Sequence, residues 1–422
     1  MIKGLILLIM FFALVFLKVP IGISMVASSA IAVLLFKLGP LTIIGTAFFN
    51  GLYATAILAL PFYIFAGNVM TRGGIAKKLC DMVGSIFERF TGGYGMVTVI
   101  ASAFFAAISG SASATTASMG SMMVPEMEKH GYKQDFALAI AAAGGVIGPI
   151  IPPSVIFVLY GVATQTSIAD LFVGGIIPGV LIAVALCVMV FFLSRGKGIQ
   201  KGKAYSFVEI IKGIWYAKWA LLVPIIILGG IYGGIFTPTE AGAVAGVYAV
   251  IISLFVEKTL NFKGLIKVAI ESAVTSAALL FVCGAATAFG RVMTLLKVPQ
   301  NLTAAILSVS ESKLVVLILI NIALLLIGCV MDSGAAIIIL APLLAPVAAQ
   351  FAINPVHFGV ILCVNVAIGA ITPPIGSCLF AASIIGDTPY SKLCKAVVPF
   401  VITEVICLIL LNAIPALSTC LL

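Results

Sequence analysis

Long apolar runs, at about 2–17, 20–36, 54–70, 134–166, 171–194, 219–236, 238–256, 270–290, 355–386 and 393–417, follow one another with few charges inside them. Roughly 20 apolar residues cross a bilayer as a helix. In lipid only helices and closed barrels satisfy their own backbone groups. The runs do not alternate and only 9% of residues are aromatic, which points to helices over a barrel. Charged residues make up 9% of the 422 and hydrophobic ones 63%, against about 25% and 45–50% in a soluble domain. That composition excludes a soluble enzyme, a nucleic-acid binder and a disordered chain. The chain reads as an all-α polytopic protein of the lipid bilayer.

The net charge of +9 is therefore a report on orientation rather than on nucleic acid. The first 19 residues resemble a signal-peptide core, but no small-x-small site precedes Lys18-Val19-Pro20, so they read as the first span. The nine cysteines form no CxxC pair or Cys/His cluster, and Cys187, Cys283 and Cys407 lie inside apolar runs. Small buried hydrophobes are the default reading for them.

Two further apolar stretches, about 94–125 and 314–349, are interrupted midway, the first by Ser109 to Thr116 and the second by Gly328 to Gly334. A polar break at half depth reads as a re-entrant hairpin; the competing reading is a small-residue packing face on an ordinary span. Two spans are themselves broken, by Gly144 to Pro153 and by Gly369 to Gly376. Adjacent prolines lack the helical donor and clash with the preceding turn. They leave free carbonyls at membrane depth, where protein, water or an ion must meet them.

The breaks are copies of each other. Gly148-Pro149-Ile150-Ile151-Pro152-Pro153 aligns with Gly369-Ala370-Ile371-Thr372-Pro373-Pro374 at a spacing of 221 residues. Pro20 with Pro238, Pro125 with Pro342 and Pro178 with Pro399 recur at nearly the same spacing, which marks a duplicated unit. Residues 1–194 and 219–422 are then the two copies, joined by a basic linker with a surface helix at 195–218. Five spans plus one hairpin in each copy predict an inverted-topology repeat. With both termini periplasmic, only Lys3, Lys37, Arg291, Lys297 and Lys313 of the 23 basic residues fall on the outer side, as the positive-inside rule requires. Two basic amphipathic stretches, about 75–90 and 205–218, are predicted to lie on the inner surface.

Two hairpin tips facing two unwound helices make a site at mid-membrane. Helix N-termini aimed inward suit a carboxylate, and unwound carbonyls with hydroxyls suit Na⁺. With two distant histidines, His130 and His357, no transition-metal ligand set is present, nor is a catalytic triad. Asp332 stands in the second polar break, and an acid at that depth is read as handling ion or substrate; the alternative is a structural hydrogen bond. Thr237-Pro238-Thr239-Glu240 fits a capping box with Pro at N1, so for Glu240 a structural and a functional reading both stay open. Arg291 has two readings as well, snorkelling to the outer surface or binding an anion. His357 reads as a membrane-entry residue.

Ser109–Pro125, Gly144–Ser154, Thr237–Gly242, Asp332–Pro342 and Gly369–Gly376 together resemble the large membrane subunit of tripartite ATP-independent periplasmic (TRAP) transporters, over essentially the whole chain. The resemblance implies a Na⁺-coupled importer of organic anions such as C4-dicarboxylates or sialic acid in the bacterial inner membrane. It also implies an elevator-type mechanism, a periplasmic substrate-binding protein and a small four-helix membrane subunit on a separate chain. Carried over, Ser109, Ser111, Ser113, Gly144 and Gly148 form one Na⁺ site, and Asp332, Ser333, Gly334, Gly369 and Thr372 the other. Thr115, Pro152, Ser154, Arg291, Asp332 and Pro373 are then candidate substrate contacts, and Glu240 stands at a family position. A passive channel and a membrane-embedded enzyme fit less well, the first because of the paired Pro breaks and the second for want of a convergent nucleophile. A stand-alone ion-coupled anion carrier of related hairpin type is the nearer alternative.

Overall fold

The computed structural model describes residues 2–309 and 312–422. It is 79% helix and, among the described residues, has no strand. As far as residue 194 the chain forms α1 (Ile2–Phe16), α2 (Ile21–Phe36), α3 (Thr42–Leu52), α4 (Ala59–Arg72) and α5 (Ile75–Phe87). It continues through α6 (Gly93–Ser109), α7 (Ala112–Lys129), α8 (Gln134–Val146), α9 (Val155–Thr164) and α10 (Ile168–Ser194). The remainder forms α11 (Phe207–Tyr232), α12 (Pro238–Ile251), α13 (Phe262–Leu295), α14 (Val298–Val309) and α15 (Lys313–Gly328). The last helices are α16 (Ser333–Gln350), α17 (Pro355–Gly369), α18 (Ser377–Ile385), α19 (Tyr390–Ala413) and α20 (Ala416–Thr419). Both Pro-Pro bonds, Pro152-Pro153 and Pro373-Pro374, are cis.

Polar residues start the helices where the sequence supplies them. Ser206 and Thr237 head full capping boxes with Glu209 and Glu240. Ser111, Ser154, Asn261 and Asp332 accept hydrogen bonds from the first turns of α7, α9, α13 and α16. Each occupies an orphan N–H that lipid cannot satisfy.

Five described helices are long and apolar enough to cross a membrane, or up to seven when bent pairs are joined. This is fewer than the runs in the sequence, because α1 and α2 have 15 and 16 residues and breaks divide the runs at 134–166 and 355–386 into shorter helices. Three helices carry exposed apolar stripes at four-residue spacing: Val180, Val184, Val188 and Phe192 on α10, Ile266, Ile270 and Val274 on α13, and Val398, Ile402 and Ile406 on α19. Stripes of that extent need an apolar solvent. The bilayer provides one.

The amphipathic stretch at 75–90 is α5, and the stretch at 205–218 is the start of α11, which bends by 61° between Phe207–Tyr216 and Lys218–Tyr232. Two elements differ from the apolar runs. A separate helix, α3, precedes the run at 54–70 and meets it at 57°, because it packs along α13. The run at 270–290 is the middle of a 34-residue helix, about 51 Å at 1.5 Å per residue, longer than the apolar layer is thick.

Packing sorts the helices into two groups. One gathers α1 to α4 with α11 to α13; the other gathers α6 to α10 with α15 to α20, with α5 and α14 bridging to it at α6 and α16. In the second group each hairpin packs on the broken helix beside it and on the far piece of the other broken helix: α16 lies against α9, and α7 against α18.

Candidate functional site

Both hairpins turn within a few residues. After α6, Gly110 takes φ +59°, a left-handed conformation that glycine adopts without a side-chain clash. Ser109 Oγ and Thr115 Oγ1 lie 2.6 Å apart across this turn, and Ser111 and Ser113 hydroxyls 3.5 Å apart on its outer lip. Thr115 is fully buried. A Cβ on Gly148 would stand 2.7 Å from Ser111 O and 2.8 Å from Thr115 Oγ1, so the broken helix touches the tip with bare backbone. Gly144 lies similarly close to the Ser102 hydroxyl. Ser154 donates to Pro149 O and accepts from Phe157 N–H, closing the Pro-rich break as it caps α9. Ser109, Ser111, Ser113, Thr115, Gly144, Gly148, Pro152 and Ser154 are therefore contributed by one hairpin tip and the break beside it.

The second cluster is built alike. Asp332 accepts from Gly334 N–H at 3.0 Å through Oδ2, and Ser333 and Gly334 are buried behind it. A Cβ on Gly369 would stand 2.6 Å from Gly328 Cα. Gly376 N–H donates to Cys329 O at 3.0 Å, tying the tip to the break. Thr372 Oγ1 donates back to Ile368 O at 2.9 Å. The Asp332 side chain, expected inside the apolar region, is exposed: one oxygen caps α16 and the carboxylate otherwise opens off the tip.

Glu240 and Arg291 stand apart from these clusters. Glu240 Oε2 accepts from Thr237 N–H at 2.8 Å and from Thr237 Oγ1 at 2.9 Å, so the structural reading of this acid has its full geometry. Arg291 is exposed one turn before the end of α13 and makes no ion pair or hydrogen bond among the described residues. Near the start of α12 a cavity of about 700 Å³ is lined by Thr55, Gln165, Thr166, Ser167, Thr237 and Thr239, between the two helix groups. His357, in the first turn of α17, is buried, its Nδ1 2.6 Å from Ser418 Oγ, where α20 packs on α17.

Polar groups that the sequence reading passed over also lie in this region. Asn365 donates to Asn321 Oδ1 at 2.6 Å, and Asn321 to Asn412 Oδ1 at 2.9 Å, joining α15, α17 and α19. Such interhelical amides hold helices together where no hydrophobic force can. Glu404, on α19, is fully buried.

The family model for the tripartite ATP-independent periplasmic transporter, DctM component, matches residues 8–417. The chain belongs to this family. It is 40% identical over 401 residues to the isethionate TRAP transporter permease protein DctMQ of Oleidesulfovibrio alaskensis, covering 94% of this chain and 63% of that one. It therefore spans less than two thirds of that relative's length. It is 37% identical to the C4-dicarboxylate TRAP transporter large permease protein DctM of Pseudomonas aeruginosa, covering 94% of this chain and 92% of the relative. The sialic acid TRAP transporter large permease protein SiaM of Vibrio cholerae is 36% identical, with 95% and 94% covered. The crystal structure of the YdaH transporter of Alcanivorax borkumensis superposes with a TM-score of 0.64 over 88% of this chain and 86% of that one, at 16% identity. That match concerns the fold alone. The chain is thus a multi-pass membrane protein of a TRAP large-permease family whose relatives are transporter permeases.

Proposed function

We propose that the chain is the membrane subunit of a Na⁺-coupled importer of organic anions, carboxylates or small sulfonates, in the bacterial inner membrane with both termini periplasmic. The observation that carries this reading is the cross-packing of the two hairpins on the two Pro-broken helices, α16 on α9 and α7 on α18. The hydroxyls and bare carbonyls of the first tip and the Asp332 carboxylate of the second supply the hard-oxygen chemistry that an alkali ion takes. Ser109, Ser111, Ser113, Gly144 and Gly148 hold one Na⁺, and Asp332, Ser333, Gly334, Gly369 and Thr372 another. The anion sits between them, against Thr115, Pro152, Ser154 and Pro373, while Arg291, apart from the tips, would meet it on its way to or from the site. The amides at the starts of α7 and α16 add positive potential beside the Asp332 carboxylate.

Cation and anion then favour each other at one site, which couples their movement. The hairpin group moves as an elevator past the α1–α4 and α11–α13 group, and the two copies run in opposite directions through the bilayer. A periplasmic binding protein delivers the anion, and a small four-helix subunit completes the permease; both are carried over from the family. The test is uptake by proteoliposomes holding the chain, its small subunit and the binding protein. A Na⁺ gradient should drive accumulation of a C4-dicarboxylate, sialic acid or isethionate, whereas equal uptake with choline replacing Na⁺ would overturn the coupling.

A further inference from the structure

Glu404 lies at mid-length on α19, is 0% exposed, and neither of its carboxylate oxygens has a hydrogen-bond partner. The Thr116 hydroxyl, one residue beyond the first candidate cluster, is also buried and faces the Cys378 thiol. Between them stands the buried Cys378 thiol of α18, within electrostatic reach of Glu404, Asp332 and the Thr116 hydroxyl. The Cys407 thiol, one turn further along α19, senses Glu404 as well. An ionised carboxylate cannot be held dry without a cation or several donors, and a group so placed takes a proton instead.

Among the described residues no cation pairs with Glu404. On the helices that meet α19 the titratable groups are Asp135 on α8, Asp170 and Cys187 on α10, Lys313 on α15, His357 and Cys363 on α17, and Cys378 on α18. On α19 itself they are Tyr390, Lys392, Cys394, Lys395 and Cys407. None pairs with Glu404. The lysines on α19 itself, Lys392 and Lys395, are nine or more residues before Glu404, over two turns of helix away. Lys313 stands at the start of α15, eight residues before the Asn321 that meets Asn412. Thiols and a single hydroxyl are also a poor set for an alkali ion, and no group of three or more His, Cys, Asp and Glu gathers among the described residues.

We propose that Glu404 is a proton-binding site of the hairpin group, distinct from the cation sites at the two tips: it is carried as the neutral acid while α19 is packed. Its ionisation requires that packing to open. Because the packed state accommodates only the protonated form, raising the pH acts against that state, and alkaline conditions slow uptake.

The first test needs no transport and so stands apart from the coupling claim. Infrared spectra of the full chain in lipid at neutral pH should show the carbonyl band of a protonated acid, shifted by deuterium and removed by Glu404→Gln. Absence of a band that this substitution removes would overturn the proposal. Should Glu404→Gln fail to insert, Glu404→Asp serves, with a shifted band as the expected result and an unchanged spectrum as the contrary one. In uptake, Glu404→Gln should stay within about threefold of the parent, a change worth well under a tenfold energy step, and lose the alkaline decline. Identical pH profiles in the two proteins would contradict the proposal.

Discussion

Replacing Asp332 by Asn is expected to stop Na⁺-driven uptake while leaving the protein folded. Asn caps a helix about as well as Asp, so the hydrogen bond from Gly334 N–H is retained and only the charge is lost. The Ala variant removes both, and the lost cap alone costs about 1 kcal/mol. Uptake against Na⁺ concentration, with surface expression and thermal midpoint measured alongside, checks this. Parent-like uptake by Asp332→Asn would remove Asp332 from the ion site and leave it a helix cap.

Gly148→Ala and Gly369→Ala should be nearly as damaging for a different reason. The new Cβ on Gly369 meets the Gly328 backbone at 2.6 Å, and that on Gly148 meets Ser111 O at 2.7 Å. Backbone cannot rotate away as a long side chain can, so the hairpin tip itself must retreat from the break. Overpacking of this kind costs about 1–3 kcal/mol, at times more, and it displaces the carbonyls and hydroxyls of the site. Gly328→Ala offers an internal comparison, since its Cβ meets Gly369 Cα and Val366 O at 3.2 Å and needs only a small adjustment. The expected order of lost uptake and lowered thermal midpoint is Gly369→Ala well beyond Gly328→Ala. Equal effects would mean that the close approach at Gly369 does not set the tip position.

The parts of the site legible in the sequence were those with strong local signatures. Paired prolines cannot continue a helix, and hydroxyl-rich breaks have no place in a plain span, so both hairpin tips and both breaks stood out together with Asp332. Glu404 did not, although a lone acid inside the apolar run at 393–417 is the same kind of signal as Asp332; no Pro or Gly break beside it marked a site. Its meaning comes from Cys378 and Thr116, which only the packing of α7, α18 and α19 brings near. Asn321, Asn365 and Asn412 are far apart in sequence for the same reason. The bend between α3 and α4 was also illegible, since it follows from the length of α13 alongside. For Glu240 the capping pattern was visible beforehand, and the structure supplies its hydrogen bonds.

The central claim is that the two tips hold Na⁺, and the most direct measurement is the thermal midpoint of the purified chain with increasing Na⁺, using K⁺ and choline at equal ionic strength as controls. A ligand bound only by the folded state stabilises it by about 2.7 kcal/mol at 100 times its dissociation constant. We expect a saturable rise specific to Na⁺, reduced in Asp332→Asn and reduced further when Ser109→Ala is added. A midpoint indifferent to the choice of cation, or a Na⁺ response unchanged in both variants, would contradict the account.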